Sequence, residues 1–409
     1  MDTSVAITAL SDYTRACRLD GGRLWGLSLC GPLILVEPES RWAVANEQPP
    51  GGEFTRHGSI WTGHVPGGIP VSNTALTWVG RKWAIARLPL SGDRFSQVGL
   101  LLHESFHRVQ DTLGLGGPDL LNPQLDERDG RYWLRLELRA EARSLTMSGN
   151  AARQAALDAL LFRANRHRLY PGADTLERAL ELQEGLAEYT GQRLAMAVTG
   201  ESPARAAQTL AGFESRATFV RSVGYATGPA LGLLLDRYVP GWRSRVRTDG
   251  LAPQLVRALR FEPPDDLAGA ARARAAAYDD GSLAREEDRR ETERQARLAE
   301  YRQRLVEGPV IVLRQDRLSR AFNPNTLTPL GVLGTVYPTG VFSAEWGKLE
   351  VSEGGALVAP DFGMLRIPAP EAVSGSVIKG EGWTLELAEG WRLVPGARAG
   401  DYRAAGPEN

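Results

Sequence analysis

The sequence predicts a mixed α+β fold: an N-terminal antiparallel β-sheet, a central helical core and a small C-terminal β unit. Three observations carry this. Between Arg23 and Leu90, short apolar or alternating runs are cut by Gly and Pro, the punctuation of strands and turns. From Asp93 to Tyr238 apolar residues recur at helical spacing. Beyond Pro309, Val, Trp, Gly and Pro return in short runs. With 409 residues, two or three domains are expected. The segments are 1–92, a β-rich region packing on the core; 93–262, the helical core; 263–308, a charged helical connector; and 309–409, the C-terminal β unit.

In chain order, the runs Leu24–Val36, Trp42–Asn46, Ser59–Val65 and Thr74–Leu88 read as strands, with Gly80-Arg81 turning the last into a hairpin. Asp93 is an N-cap candidate. Phe95, Val98, Leu102, Phe106, Val109 and Leu113 then fall on one helical face, and Gly114 supplies the stop. Further helices are expected over Arg131–Leu145, Ala151–Asn165, Asp174–Val198, Ala204–Val220 and Thr227–Tyr238. Asp174 with Glu177 reads as an N-cap and its third-position partner. Ala284–Glu307 carries Glu286/Arg290, Glu293/Arg297 and Glu300/Arg304 four apart in the favourable order, the pattern of a solvated helix. Val310–Leu313, Leu349–Val351, Ala356–Val358 and Trp383–Leu387 are the C-terminal strand candidates.

Composition removes several function classes. There are 48 basic against 49 acidic side chains, so no global field favours nucleic acid or an anionic membrane as the partner. No apolar run approaches the ~20 residues that span a bilayer. The start carries no basic region ahead of its short apolar run, so a cytoplasmic protein is expected. Cys17 and Cys30 are too few for a disulfide framework or a thiolate metal site, and both are expected to be buried as small apolar side chains.

The chemistry concentrates in His103-Glu104-Ser105-Phe106-His107. Residues four apart share a helix face, so both imidazoles can address one metal ion while Glu104 reaches a water bound to it. This is the H-E-x-x-H arrangement of zinc hydrolases. His57, His64 and His167 lack such a context and read as surface or locally bonded groups. A catalytic zinc takes three protein ligands and leaves a position open. Gln110 and Leu113 stand where the metzincin extension requires Gly and His, which excludes that subclass.

The third ligand must come from a later helix. Glu184 falls on the inward stripe with Leu180, Ala187 and Gly191, whereas Glu181 turns toward solvent on the same wheel. Gly185 would let helices approach closely, and Glu188 can accept the second N–H of a ligand histidine. Glu137 lies near Trp133, Ala140 and Ser144 on its own helix, so it and Glu141 are rivals to Glu184.

The pair His-Glu-Ser-Phe-His and Glu184-Gly-Leu-Ala-Glu-Tyr189 resembles the gluzincin branch of the zinc metallopeptidases (peptidase MA-like), which holds the thermolysin-like proteases and zinc aminopeptidases. The resemblance implies one Zn2+ held by His103, His107 and Glu184, with Glu188 supporting the first histidine. Tyr225-Ala-Thr-Gly228 resembles the Tyr-x-x-Gly element of the aminopeptidase subgroup, which implies that the Tyr225 hydroxyl stabilises the oxyanion. Asn73-Thr74-Ala75 and Leu136-Glu137-x-x-Ala140 are similar to an uncharacterised bacterial branch. The interval from His107 to Glu184 is longer than in the familiar aminopeptidases, which implies an inserted helical hairpin. The Gly-x-Met-Glu-Asn element that captures a substrate amino terminus is missing, so aminopeptidase specificity does not carry over.

The expected reaction is zinc-dependent hydrolysis of a peptide bond in a peptide or protein substrate. Glu104 takes the proton of the attacking water, and the Thr74–Leu88 hairpin offers an edge strand to an extended chain. Two other readings stand beside it: a zinc-dependent hydrolase of non-peptide amides or esters, and a zinc-stabilised binding protein without catalysis.

Overall fold

The computed structural model describes residues 3–118, 120–323 and 326–407. The chain is α+β, 46% helix and 19% strand. It divides into two compact units, one up to Ala284 and one from Arg285 onward. The expected sheet and helical core fall within the first unit, and the charged helix Ser282–Arg302 runs across the division.

The first unit opens with a helix that the sequence reading did not single out, α1 (Thr3–Asp20). Its Ala6, Leu10, Tyr13 and Cys17 are buried on one face, spaced as an amphipathic helix requires. Six strands follow: β1 (Leu33–Val36), β2 (Trp42–Ala45), β3 (Phe54–His57), β4 (Ile60–His64), β5 (Thr74–Trp78) and β6 (Arg81–Arg87). They form one sheet in the order β3-β4-β2-β1-β6-β5. All its pairs are antiparallel except β1 with β6, which run parallel. The sheet is thus mainly antiparallel, as expected, and the one parallel pair arises because the chain travels through four strands before β6 returns beside β1. Both faces of β1 are covered. Ile34 and Val36 join Trp78 and Trp83 on one side, and Leu33 and Leu35 face the helices on the other. That alternation is the period-2 signature of a strand.

Asp93 caps the next helix as expected, its Oδ1 accepting from the Ser96 amide at 3.0 Å. The helices are α2 (Arg94–Val109), α3 (Arg128–Thr146), α4 (Gly149–Leu169), α5 (Ala173–Leu180), α6 (Leu186–Thr199), α7 (Pro203–Phe213) and α8 (Val223–Tyr238). A π-helical turn, Glu181–Gly185, joins α5 to α6. Asp174 does not cap α5; Gly172 precedes it in a left-handed conformation without a side-chain cap. Glu177 is instead fully buried and bonded to Arg166 and His167. Shorter helices at Ala252–Leu259 and Leu267–Ala275 complete this unit.

Among the described residues the second unit contains two β-sheets, of seven and five strands. Its strands include Val310–Arg314, Gly347–Val351, Ala356–Val358 and Trp383–Leu387, the four runs expected from sequence. One apolar core draws on both sheets, with Ile311, Leu365 and Ile367 from one and Phe342, Leu349 and Leu385 from the other. Among the described residues no helix is long and apolar enough to cross a membrane.

Candidate metal centre

The centre is built where α2, the π turn and α8 meet. Two pairs of glycines allow this approach. A Cβ on Gly191 would lie 2.4 Å from the Gly99 carbonyl oxygen, so α6 rides directly on the backbone of α2. A Cβ on Gly228 would lie 2.2 Å from the Gly185 Cα, which sets α8 against the π turn. Contacts that close are accessible only to glycine.

His103 and His107 lie on one face of α2, and Glu184 reaches them from the π turn. The three inward atoms form a near-equilateral triangle. His103 Nε2 is 3.0 Å from His107 Nε2, and each is 3.4 Å from Glu184 Oε2. Among the described residues these three side chains are the group that could hold a metal ion, with ligand atoms within 4.8 Å of one another. A tetrahedral zinc site with bonds of about 2.0–2.1 Å has edges of about 3.3–3.4 Å. The donor set therefore fits one small divalent cation in both chemistry and dimensions.

The outer nitrogens show why the inner ones converge. His103 Nδ1 lies 3.0 Å from Glu188 Oε2, and Gln192 donates to the other Glu188 oxygen at 2.9 Å. His107 Nδ1 lies 2.7 Å from Gln110 Oε1. The Gln110 amide nitrogen donates to the carbonyls of Leu115, Leu182 and Gln183, so its oxygen is the atom left to face the histidine. Each Nδ1 thus has an acceptor, and both Nε2 atoms are turned to the shared space, as in metal sites where a second acceptor fixes the tautomer.

The electrostatics favour positive charge at that point. Burial alone would lower the His103 pKa, but its hydrogen bonds to Glu184 and Glu188 outweigh this and lift it to about 10. Burial would raise Glu184; contacts with both histidines hold its carboxyl well below the usual range. Glu104 moves the other way. Burial raises its pKa, and the neighbouring histidines offset only part of the rise. Tyr225 stacks on His103, with centroids 5.6 Å apart and planes 6° from parallel, and donates to Glu184 Oε2 at 2.5 Å. Burial and the Glu184 charge push its phenol upward, so it stays protonated.

The histidines, Glu104, Glu184, Glu188 and Tyr225 all line one open cleft of about 410 Å³. Asn73, Thr74 and Ala75 line it as well. β5 stands last in the sheet order, so the edge turned away from β6 has no strand partner among the described residues.

The rival ligands lie elsewhere. Glu137 pairs with Arg163 at 2.7 Å and Arg166 at 2.5 Å, and Glu141 is fully buried without a hydrogen-bond partner for either oxygen. Glu181 does not turn to solvent: it is 2% exposed, bonded to Arg163 and, at 2.8 Å, to Thr227. An amphipathic wheel assumes one wet face, but here α4 and α8 cover that face and Arg163 supplies the countercharge. His57 and His64 are exposed, and His167 bonds to Glu177 at 2.9 Å. Between α2 and the π turn run α3, α4 and α5. Sequence reasoning missed Gln110 and Gln192 as supports, and the π turn itself. Gln110 had a signal: it lies three residues after His107 on the ligand helix, at the spacing that brings side chains together. No family model, curated protein or solved structure matches this chain.

Proposed function

We propose that this protein is a zinc-dependent hydrolase of peptide bonds. The observation that carries the reading is the convergence of His103 Nε2, His107 Nε2 and Glu184 Oε2 on one point at the floor of an open cleft. A structural zinc site is closed by a fourth protein ligand, whereas a catalytic one keeps a position for solvent. Three ligands beside an open cleft favour the catalytic type, and so does a buried carboxylate next to the first ligand.

Zinc held by these residues supplies a lowered pKa for a bound water and polarisation of a substrate carbonyl. Glu104 accepts a proton and returns it to the leaving amine. Its raised pKa suits that exchange better than an ordinary carboxylate would. Glu188 and Gln110 hold the two imidazoles in place throughout. Tyr225, a protonated donor at the cleft, turns its hydroxyl from Glu184 to the charge developing on the carbonyl oxygen. The free edge of β5 supports a peptide as substrate, since an extended chain can add to it by backbone hydrogen bonds.

The test is Glu104→Gln. The variant is expected to keep stoichiometric zinc and to lose about 10²–10⁴ in turnover on mixed peptide pools. Unchanged turnover with zinc retained removes Glu104 from the mechanism.

A further inference from the structure

We propose that Cys17 and Cys30 form a redox-active dithiol, which closes to an intramolecular disulfide when Cys30 meets an anionic, low-molecular-weight disulfide. Nothing in the reading of the metal centre requires this pair, and it stands on a different part of the fold.

The geometry starts from Tyr13. Its hydroxyl donates to the Leu29 carbonyl at 3.1 Å and accepts from the Gly31 amide at 3.2 Å, so it clamps the backbone on both sides of Cys30. Cys17 follows Tyr13 by four residues on α1 and therefore shares its face. The clamp therefore sets the Cys30 segment against the face of α1 that carries Cys17. Their environments differ: Cys17 is buried and Cys30 is exposed. The expectation of two buried cysteines is corrected on this point, because Cys30 sits in the irregular segment that leads into β1 rather than inside the core. Burial, and then the neighbouring Cys30 sulfur, push the Cys17 thiol upward, so it meets no reagent directly and reacts only with a sulfur delivered beside it.

Cys30 opens onto a groove of about 830 Å³ between α1 and the sheet, wider than the metal cleft. Arg15, Arg18 and Arg81 border it against one carboxylate, Glu47. A surplus of guanidinium groups recruits anions and raises their local concentration. The favoured oxidant is accordingly a carboxylate-bearing disulfide of the glutathione type.

The exchange balances without another reagent. The Cys30 thiolate attacks one sulfur of the small disulfide; that S–S bond breaks and one small thiolate leaves. Cys17 then releases its proton to solvent and attacks the Cys30 sulfur, expelling the second small thiolate. Two protein thiols are oxidised to one disulfide, and one small disulfide is reduced to two thiols. The closed bridge would tie α1 to the segment before β1. Tyr13, beside it, accepts from Ser105 of the metal-bearing helix at 3.1 Å.

The experiment treats the reduced full-length protein with oxidised glutathione, blocks free thiols with iodoacetamide and maps peptides without reduction. A Cys17–Cys30 linked peptide with no retained glutathione is expected. Stable glutathione on Cys30 with Cys17 alkylated, or no oxidation of either residue, overturns the proposal. Cys17→Ala should retain one glutathione per chain; should that variant not fold, the wild-type map decides alone, with Cys30→Ser, at an exposed position, expected to show no linked peptide. Arg15→Glu with Arg18→Glu should slow the reaction by about threefold at low salt and leave the uncharged hydroxyethyl disulfide unaffected. Equal slowing with both reagents, or no slowing with either, overturns the assignment of an anionic oxidant.

Discussion

A histidine ligand is only as well placed as the group behind it. His103 leans on Glu188, a carboxylate one helical turn beyond Glu184, and His107 leans on Gln110, whose amide hydrogens are committed to three backbone carbonyls. Two of those carbonyls, Leu182 and Gln183, belong to the π turn that carries Glu184, so one glutamine side chain fixes a ring and the turn opposite it. Gln110→Ala is therefore expected to weaken zinc binding by about 10–100-fold, the usual cost of losing such a support. Competition against a chromophoric chelator measures this; unchanged affinity would show that the His107 ring is held by α2 alone. The two histidines and Glu104 were legible in the sequence because their spacing is local. Glu188 was legible through its offset from Glu184. Gln110 showed only its three-residue offset from His107; the rest of its role depends on carbonyls more than seventy residues away in the chain.

The element that joins these residues is the π turn. An α-helix places residues about 100° apart around its axis, and a wider turn spreads Glu181 and Glu184 toward different interiors. Glu181 enters the network of Arg163 and Thr227, while Glu184 enters the cleft. Helical periodicity located this segment but could not register the extra residue, since the phase change comes from tertiary contacts on either side. The glycine seam beside it is exacting. Gly228→Ala would push a methyl to 2.2 Å from the Gly185 backbone, and is expected to destabilise by about 1–3 kcal/mol or more and to weaken zinc binding as the turn shifts. Gly212→Ala in α7 is the control: its Cβ meets nothing within 4 Å, so about 0.4–1 kcal/mol of stabilisation is expected. Thermal denaturation of both variants measures the contrast, and equal behaviour would contradict a tight seam.

At the scale of the molecule, α3, α4, α5 and the π turn enclose Glu137, Glu141, Glu177 and Glu181 around Arg163 and Arg166. This cluster was not legible, since each acid alone reads as a cap, a ligand or a surface group; the signal was Arg163 and Arg166, three apart on the otherwise apolar face of α4. Burial first, and then the Glu137 charge, raise the Glu141 pKa well above the ordinary carboxylate value. The folded state therefore keeps a proton that the unfolded chain releases near pH ~4.3. Stability linked to this group is full below that pH and declines as pH rises toward the folded pKa. Glu141→Gln, neutral at every pH, should remove the decline, so its advantage over the parent should grow between pH 5 and about 8 in urea titrations. A constant difference across that range would contradict a protonated Glu141. The layout of sheet, helices and C-terminal strands was legible because each follows its own short period; α1 carried such a period too, in Ala6, Leu10, Tyr13 and Cys17, whereas the parallel β1–β6 pair depends on long-range packing. Zinc titration of the folded parent and of Glu184→Ala measures whether side chains from two distant stretches hold one cation. The parent should bind one equivalent, and the variant about 100-fold or more weakly with unchanged circular dichroism. Equal affinity in the two proteins, or no stoichiometric binding in the parent, would contradict the account.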